Sequence, residues 1–187
     1  MAAYRAWLPA IAVLCWCGAA GAIQQVKSLY TAIDLSTCEA VAGGGRLCRG
    51  LPGYPVYVAE GAQKAYLSVG ADAGSRLAAR QTLGSPNTLF DKGGQRTTVE
   101  WRFIVRDGTP VPYATIVRYF TRDDSGHGEV LVVMRVTDRE ACHVAYVDAL
   151  ANPDAIVLAR KLADTGARSE ECPASPSAHG AQGFSPM

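Results

Sequence analysis

The sequence has almost no excess charge and no cluster of basic residues. Its 187 residues include 18 Lys and Arg, 17 Asp and Glu, and only three His. Proteins that bind nucleic acid or anionic membranes carry a basic patch or stripe on one face. Because this chain has none, we expect no nucleic-acid partner.

Motifs of hydrolases and of cofactor-dependent enzymes are also missing. The sequence contains neither a Gly-x-Ser-x-Gly elbow nor a Ser-x-x-Lys motif. The glycine-rich stretch from Gly43 to Gly45 is not followed by the Lys-Ser or Lys-Thr of a phosphate-binding loop, so a turn is the favoured interpretation. We expect no cofactor, and a non-enzymatic function is favoured over an enzyme.

The one long hydrophobic run lies at the start of the sequence. Arg5 precedes the run WLPAIAVLCWC, and Ala20 and Ala22 supply a small-x-small cleavage site. The run is too short to span a bilayer comfortably. We predict that residues 1–22 are a secretory signal peptide, which limits membrane contact to the time before cleavage. An uncleaved N-terminal anchor is the alternative.

Export would leave an even number of cysteines in an oxidising compartment. The six cysteines minus Cys15 and Cys17 of the leader leave four, which suits two disulfide bonds in a periplasmic or secreted protein. The 18 basic residues minus Arg5 leave 17, so the mature chain is formally neutral. We expect residues 23–172 to form a single domain with a buried core.

Four consecutive β-runs form the centre of the predicted fold. The runs are TTVEWRFIVR, YATIVRYFTR, EVLVVMRVT and CHVAYVDAL, and short turns rich in Gly, Pro and Asp separate them. The period of two predicts half-buried strands, and links this short allow only antiparallel neighbours. The first run places these residues on one face: Val99, Trp101, Phe103 and Val105.

A helix is predicted to follow this antiparallel β-meander and to pack on it, which makes the fold class α+β. Asn152 suits an N-cap, Pro153 suits the first helical position, and Gly166 suits the residue that ends a helix. An apolar stripe is predicted to face the sheet: Ile156, Ala159, Leu162 and Ala163.

The lengths of these elements predict the disulfide pairing. The strand from Cys142 advances roughly 20 Å, and the helix returns about the same distance. Cys172 is thereby brought close to Cys142, and we predict that these two cysteines are bonded. Cys38 and Cys48 are then left to pair with each other.

The remaining segments are shorter or irregular. We predict a strand over residues 29–35, a hairpin within residues 56–70 and a short helix over residues 76–83. Residues 84–95 form a long irregular link, and links of that length often carry function. Residues 173–187 are rich in Pro, Ser and Gly and are predicted to be a disordered tail.

His143 and Asp148 are the candidates for catalysis. Alternation places His143 on the sheet face opposite to Cys142 and Tyr146, away from the helix or in a cleft. A carboxylate nearby in sequence, Asp148 or Asp138, could orient its imidazole for acid-base work. The competing interpretation is a partly exposed strand histidine with an ordinary hydrogen bond.

The loop RDDSGHGE contains the candidates for a metal site. Asp123, Asp124, His127 and Glu129 offer ligands within a tight glycine-rich loop that could hold calcium. Met134 stands where an EF-hand requires its bidentate acid, and no helix flanks the loop. A solvated hairpin turn is therefore the favoured interpretation, and we expect no metal.

Arginines on adjacent β-runs are candidates for binding an anion. Arg102, Arg118 and Arg135 would form one face if their register brings them together. Glu100 and Glu129 are interleaved with them, however, and favour cross-strand ion pairs instead.

Tyrosines of the predicted hairpin are candidates for contact with a partner. Tyr54, Tyr57 and Tyr66 combine apolar area with a hydroxyl, which suits binding to protein or glycan. The alternative for each tyrosine is a place in the core.

Three strings resemble a family of small secreted proteins of alphaproteobacteria to which no function is assigned. The strings are GLPGYPVYVAEG, WRF followed by VPYATIVRYFT, and CHVAYVDALANPDAIVLAR, and the resemblance covers roughly residues 29–172. It implies export and a shared fold, and it carries no catalytic or binding residue.

Two functions from different classes follow from these patterns. The first is an exported, periplasmic or secreted, non-enzymatic binding or inhibitor-like module whose partner is an envelope protein or a glycan. The second is a small envelope hydrolase that uses His143 with a nearby carboxylate.

Overall fold

The computed structural model describes residues 26–91, 94, 96–124, 126–169 and 171–187. The predicted signal peptide lies outside these residues. Within them, no helix combines the length and the apolar character that crossing a membrane requires.

The described chain is mostly β-structure with one α-helix. In chain order the elements are β1 (Lys27–Asp34), a 3-10 turn (Leu35–Thr37), β2 (Glu39–Ala40), β3 (Arg46–Leu51), β4 (Tyr54–Gly61), β5 (Lys64–Val69), two 3-10 turns (Ala73–Ser75 and Leu77–Arg80), β6 (Asn87–Thr88), β7 (Arg96–Arg106), β8 (Thr109–Asp123), β9 (Gly126–Val136), β10 (Ala141–Asp148), α1 (Ala155–Ser169) and β11 (Ser177–His179). The short helix predicted over residues 76–83 is thus only a 3-10 turn.

The large sheet has the strand order β1-β7-β8-β9-β10-β11, and β6 pairs with β8. The consecutive pairs from β7 to β10 are all antiparallel, so the predicted meander is present. The edge strand β11 runs parallel to β10. The sheet is therefore mixed, which corrects the prediction of a purely antiparallel sheet.

A second sheet, with the order β2-β3-β4-β5, covers one face of the large sheet. The predicted hairpin is its β4–β5 pair. Apolar residues from both sheets form one core between them: Val56, Val58, Leu67 and Val69 from the small sheet, and Val99, Trp101, Val117 and Val132 from the large sheet. The molecule has three layers, because α1 covers the other face of the large sheet.

Helix α1 packs through alanines spaced four residues apart: Ala155, Ala159, Ala163 and Ala167. This spacing places small side chains on one helical face, so the helix can approach the sheet closely. The helix begins after Pro153 and continues through Gly166 to Ser169. The predicted stop at Gly166 is wrong, because the buried Ala167 extends the packed face by another turn.

The segment 173–187 differs from the predicted disordered tail. Ser177–His179 pair with Ala145–Val147 at the edge of the large sheet, and Ser185 is buried. Composition predicted disorder because the segment has few apolar side chains to bury. Hydrogen bonds to its main chain, which composition does not encode, hold it in place.

Both predicted disulfides are present. The Cα atoms are 4.4 Å apart in Cys38–Cys48 and 5.9 Å apart in Cys142–Cys172. Bonds of this kind suggest an oxidising environment outside the cytosol.

Removing Cys142–Cys172 is expected to destabilise the protein more than removing Cys38–Cys48. The bonds join residues 30 and 10 positions apart, so loop closure contributes about 3.6 and about 2.7 kcal/mol respectively. Urea unfolding of the two double Cys→Ala variants measures the difference. A larger loss of unfolding free energy for the Cys38→Ala/Cys48→Ala variant would contradict it.

Candidate functional site

The structure places His143 in the core between the two sheets, with no exposed surface. Its Nδ1 lies 3.0 Å from the Tyr146 hydroxyl, and its ring meets the Tyr119 ring edge-on at 6.2 Å. Burial lowers the pKa of His143 to about 3, so the imidazole is neutral at ordinary pH. A neutral, enclosed imidazole of this kind is suited to packing.

Tyr146 was predicted to face away from His143, and this prediction is wrong. The register between β9 and β10 shifts between His143 and Ala145. A bulge inserts one extra residue and reverses the alternation beyond it. Tyr146 therefore lies on the same face of β10 as His143.

Asp148 is not paired with His143. Its carboxylate accepts hydrogen bonds from the main-chain N–H groups of Leu150, Ala151 and Phe184, and from both the N–H and the hydroxyl of Ser185. Burial alone would raise the pKa of Asp148, but the bonds from Ser185 and the other donors outweigh it, so the pKa is lowered. The structure therefore does not assemble the predicted His–Asp pair.

Arg102 lies under helix α1 in a buried ionic network. Its guanidinium donates to both carboxylate oxygens of Asp164, at 2.9 and 2.6 Å. The Tyr113 hydroxyl donates a hydrogen bond to the same carboxylate at 2.6 Å. Glu100, also buried, accepts from Arg160 of the helix at 2.7 Å. These charges fix the helix on the sheet.

The other two arginines are also paired. Arg118 bonds to Glu129 on the neighbouring strand, and Arg135 lies 3.8 Å from Glu140. The Arg118–Glu129 pair joins neighbouring strands, as the alternative predicted. Arg102 instead pairs with Asp164 of the helix, and Glu140 lies in the turn between β9 and β10. The three guanidinium groups thus have separate acidic partners.

The three candidate tyrosines do not form one surface. Tyr54 turns inward, and its ring lies 6.4 Å from the ring of Trp101. Tyr57 and Tyr66 alternate with buried residues of β4 and β5, so both lie half-buried on the outer face of the small sheet. They form a diagonal pair there, because Tyr57 pairs with Ser68 and Tyr66 with Ala59.

The candidate metal ligands lie along the β8–β9 hairpin: Asp123 ends β8, Asp124 lies in the turn, and Glu129 lies in β9. Asp123 accepts from the Gly126 N–H at 3.1 Å, Asp124 is exposed, and Glu129 bonds to Arg118. In the part of the chain that the structure describes, which excludes Ser125, no three His, Cys, Asp or Glu side chains are grouped as metal ligands.

A groove opens where strands β7 and β8 separate. Their pairing ends at Val99 and Val117, and beyond this point β7 pairs only with β1. Strand β6 takes its place beside β8, with Thr88 opposite Phe120. The groove lies beside this β6–β8 pair, and its lining includes Asn87, Thr88, Phe120 and Thr121.

The groove has a volume of about 930 Å³. Its walls come from the β4–β5 turn, from the segment between Asn87 and Asp91, and from the β8–β9 hairpin. The side chains that give it chemical character are Glu60, Lys64, Phe90, Phe120, Arg122 and His127.

Charges of both signs line the groove. The Lys64 ammonium donates hydrogen bonds to the carbonyls of Leu83 and Gly84, at 3.0 and 2.7 Å. Arg122 and His127 face each other across the β8–β9 ladder and are exposed. With Glu60 on the opposite lip, the groove offers donors, acceptors and aromatic surface together.

The β4–β5 turn on the lip of the groove has an uncommon backbone. Ala62 and Gln63 have φ angles of 50° and 62°, a region that Gly, Asn and Asp occupy far more readily. The Gln63 carbonyl accepts from the Asn87 N–H at 2.9 Å, which ties the turn to the opposite wall. Strained backbone held by its surroundings is common at ligand sites.

Sequence patterns marked two stretches that contribute to this groove: part of the link over residues 84–95, and the loop RDDSGHGE, which was predicted only as a candidate metal site or a solvated turn. Glu60 and Lys64 come from a turn far away in the chain, and no local pattern marks them. Their only sequence signal is a position beside a predicted turn.

No protein-family model matches the sequence, and no curated protein or solved structure shows detectable similarity to it. The resemblance to a secreted alphaproteobacterial family therefore stays a prediction.

Proposed function

We propose that the protein is an exported, non-enzymatic binding module whose ligand lies in the groove at the β8–β9 end of the sheet. The observation that carries this proposal is the groove itself, of about 930 Å³. Ligand sites in proteins commonly enclose about 300 to 1,000 Å³ and are largely pre-formed. Hydrogen-bonded strands form two of its three walls, so its shape exists before the ligand arrives.

The lining favours an extended polar chain, either a peptide or a glycan. Acidic and basic side chains both line the groove, so a strongly charged ligand of either sign would meet repulsion from part of it. Phe90 and Phe120 provide apolar surface against which a sugar ring or an apolar side chain can pack. Polar groups beside aromatic surface are typical of both kinds of site.

Export to the periplasm or beyond is part of this proposal. The two disulfides support it, because such bonds persist in oxidising compartments. The predicted signal peptide would provide the route.

The alternative of an envelope hydrolase stays a prediction. It requires a path for substrate to His143, and this side chain is fully buried. It also requires a carboxylate at the imidazole, whereas Asp148 holds the segment 184–185 instead.

A muramidase digest of bacterial cell wall is a suitable first probe, because it contains both glycan and peptide. We expect it to shift the NMR amide signals of the groove, those of Lys64 and Phe120 among them. Arg122→Glu should weaken binding about tenfold, because it reverses one charge on the rim. The matched control is Arg106→Glu, an exposed arginine at the turn between β7 and β8, at the opposite end of β8.

The control variant should bind as the wild type does, and both variants should melt at the wild-type temperature. The proposal fails if the shifted signals lie outside the groove. It also fails if both charge reversals weaken binding equally.

A further inference from the structure

The segment 177–187, called the strap here, crosses the free edge of the large sheet. It leaves Cys172, which is fixed to β10 by a disulfide. Its first residues form β11 and add to β10 as a parallel strand. Addition of an extended segment to a sheet edge is a common mode of peptide recognition.

Asn152 binds the main chain of the strap beyond β11. Its side-chain oxygen accepts from the Ala181 N–H at 2.9 Å, and its side-chain nitrogen donates to the Ala181 carbonyl at 2.7 Å. Beyond the last paired residue of β11, the Asn152 side chain thus makes the two main-chain hydrogen bonds that a neighbouring strand would make. The Asn152 side chain was predicted to cap helix α1, but it binds the main chain of the strap instead.

Asp148 binds the next part of the strap. One carboxylate oxygen accepts from two consecutive N–H groups, of Phe184 at 2.9 Å and of Ser185 at 2.8 Å. The other oxygen accepts from the Ser185 hydroxyl at 2.6 Å. The N–H groups of Leu150 and Ala151, which lie outside the strap, hold the carboxylate in place.

Two glycines provide the space for the strap. A Cβ atom at Gly128 of β9 would lie 2.5 Å from the Cα of Ser185. A Cβ atom at Gly180 of the strap would lie 2.4 Å from the Asn152 side-chain oxygen. Gly180 also has a φ of 78°, so both space and backbone conformation favour glycine there.

Polar contacts rather than apolar burial hold most of the strap. Ser185 is buried, whereas Phe184, its largest apolar side chain, is 71% exposed. Met187 packs against the edge of the core. The contacts resemble those of a peptide ligand in a polar receptor site more than those of a core element.

We propose that the edge of β10, together with Asp148 and Asn152, is a peptide-binding site, and that the strap is its resident ligand. The ligand class is an extended peptide with the spacing Gly-x-x-x-x-Ser, which supplies a glycine at Asn152 and a seryl hydroxyl at Asp148. The same sequence added in trans replaces the strap once its covalent tether is cut. The groove is a different site, although the two adjoin at Gly128 and Glu129, which line the groove and contact Ser185 of the strap.

The tether explains why the site is occupied in cis. Only four residues, 173–176, separate Cys172 from β11. A short tether gives its ligand an effective concentration in the millimolar range, which excludes most competitors. Cutting the tether removes this advantage without changing any contact in the site.

The experiment begins with the full chain, folded and oxidised, that carries a protease site inserted between Ala174 and Ser175, both exposed. After cleavage, a fluorescent peptide with the sequence of residues 175–187 is added. We expect the labelled peptide to replace the severed strap and to bind saturably. A Ser185→Ala peptide should bind about tenfold more weakly, because it loses the hydroxyl that contacts both the Asp148 carboxylate and the main chain of Glu129. A scrambled peptide should not bind.

Circular dichroism of the cleaved protein separates a binding site from a structural element. A body that stays folded but takes up no labelled peptide overturns the proposal. A body that unfolds when the severed strap leaves also overturns it, and so does equal binding of the Ser185→Ala peptide. None of these outcomes depends on whether the groove binds a ligand.

Discussion

Acidification from about pH 6.5 to about pH 4.5 is expected to destabilise the protein through His143 by up to about 1.4 kcal/mol for each pH unit. Burial lowers the pKa of the folded-state imidazole from 6.5 to about 3. In this pH window the imidazole therefore binds a proton in the unfolded chain but not in the folded protein. The stabilisation is complete above the unfolded pKa and is lost as the pH falls towards the folded pKa.

The side chains around His143 offer no charge to offset this effect. Tyr119 and Tyr146 face its ring, and burial raises the pKa of Tyr146 to about 12, so both remain neutral. The His143 N–H of the main chain donates to the side chain of Gln81 at 2.8 Å, which is also uncharged.

Urea unfolding at several pH values between 4.5 and 7 measures the slope. In His143→Gln, the slope of the unfolding free energy against pH should be smaller than in the wild type by up to about 1.4 kcal/mol per pH unit. The matched control is His127→Gln, an exposed histidine that should retain the wild-type slope. Asp34 and Asp148 have lowered pKa values, so their stabilisation is present above the unfolded pKa near 3.8 and is lost below this window. Parallel curves for wild type and His143→Gln would contradict the expectation.

Arg102→Met is expected to destabilise the protein by about 3 kcal/mol, near the lower end of the range for breaking a buried ion pair. The substitution leaves the carboxylates of Asp164 and Glu100 beneath the helix without their shared cation. Asp164 keeps Tyr113 as a partner, and Glu100 keeps both Arg160 and Ser28. This is the reason for a value at the lower end.

Arg118→Met provides the matched control. It removes the partner of another carboxylate from the same sheet, but the Arg118 side chain is 43% exposed, against 10% for Arg102. Exposed pairs contribute less than about 1 kcal/mol. The unfolding free energies of the two variants should therefore differ by roughly 2 kcal/mol or more. An equal loss for both would show that the network under the helix is not specially important to stability.

Local sequence patterns were sufficient to predict the meander and the disulfide pairing. The run TTVEWRFIVR locates β7, but its predicted wet face is wrong. Glu100 and Arg102 are buried, and Val105 is exposed beyond a register shift between Arg102 and Phe103. The lengths of β10 and α1 brought Cys172 back to Cys142, since rise per residue depends only on the type of element.

The bulge in β10 left no comparable signal. This strand is covered by the small sheet on one face and by the helix on the other. Its residues are therefore apolar on both faces, as in Val144, Ala145, Tyr146 and Val147. A strand without polar residues to mark its wet face does not reveal an inserted residue, and Tyr146 was placed on the wrong side.

The groove and the strap depend on contacts between distant parts of the chain. Three turns that are well separated in sequence meet around Phe120. The strap is held by main-chain hydrogen bonds to Asp148 and Asn152, and such bonds leave no trace in composition. Neither site can be recognised from the sequence without the fold.

Native mass spectrometry of the protein after export by a bacterial host tests the proposed ligand-binding groove most directly. We expect the wild type and Arg106→Glu to carry a mass above that of the oxidised polypeptide, which identifies a retained ligand. Arg122→Glu should lose this added mass. A wild-type protein that carries no added mass, or the same added mass on all three proteins, would contradict binding in the groove.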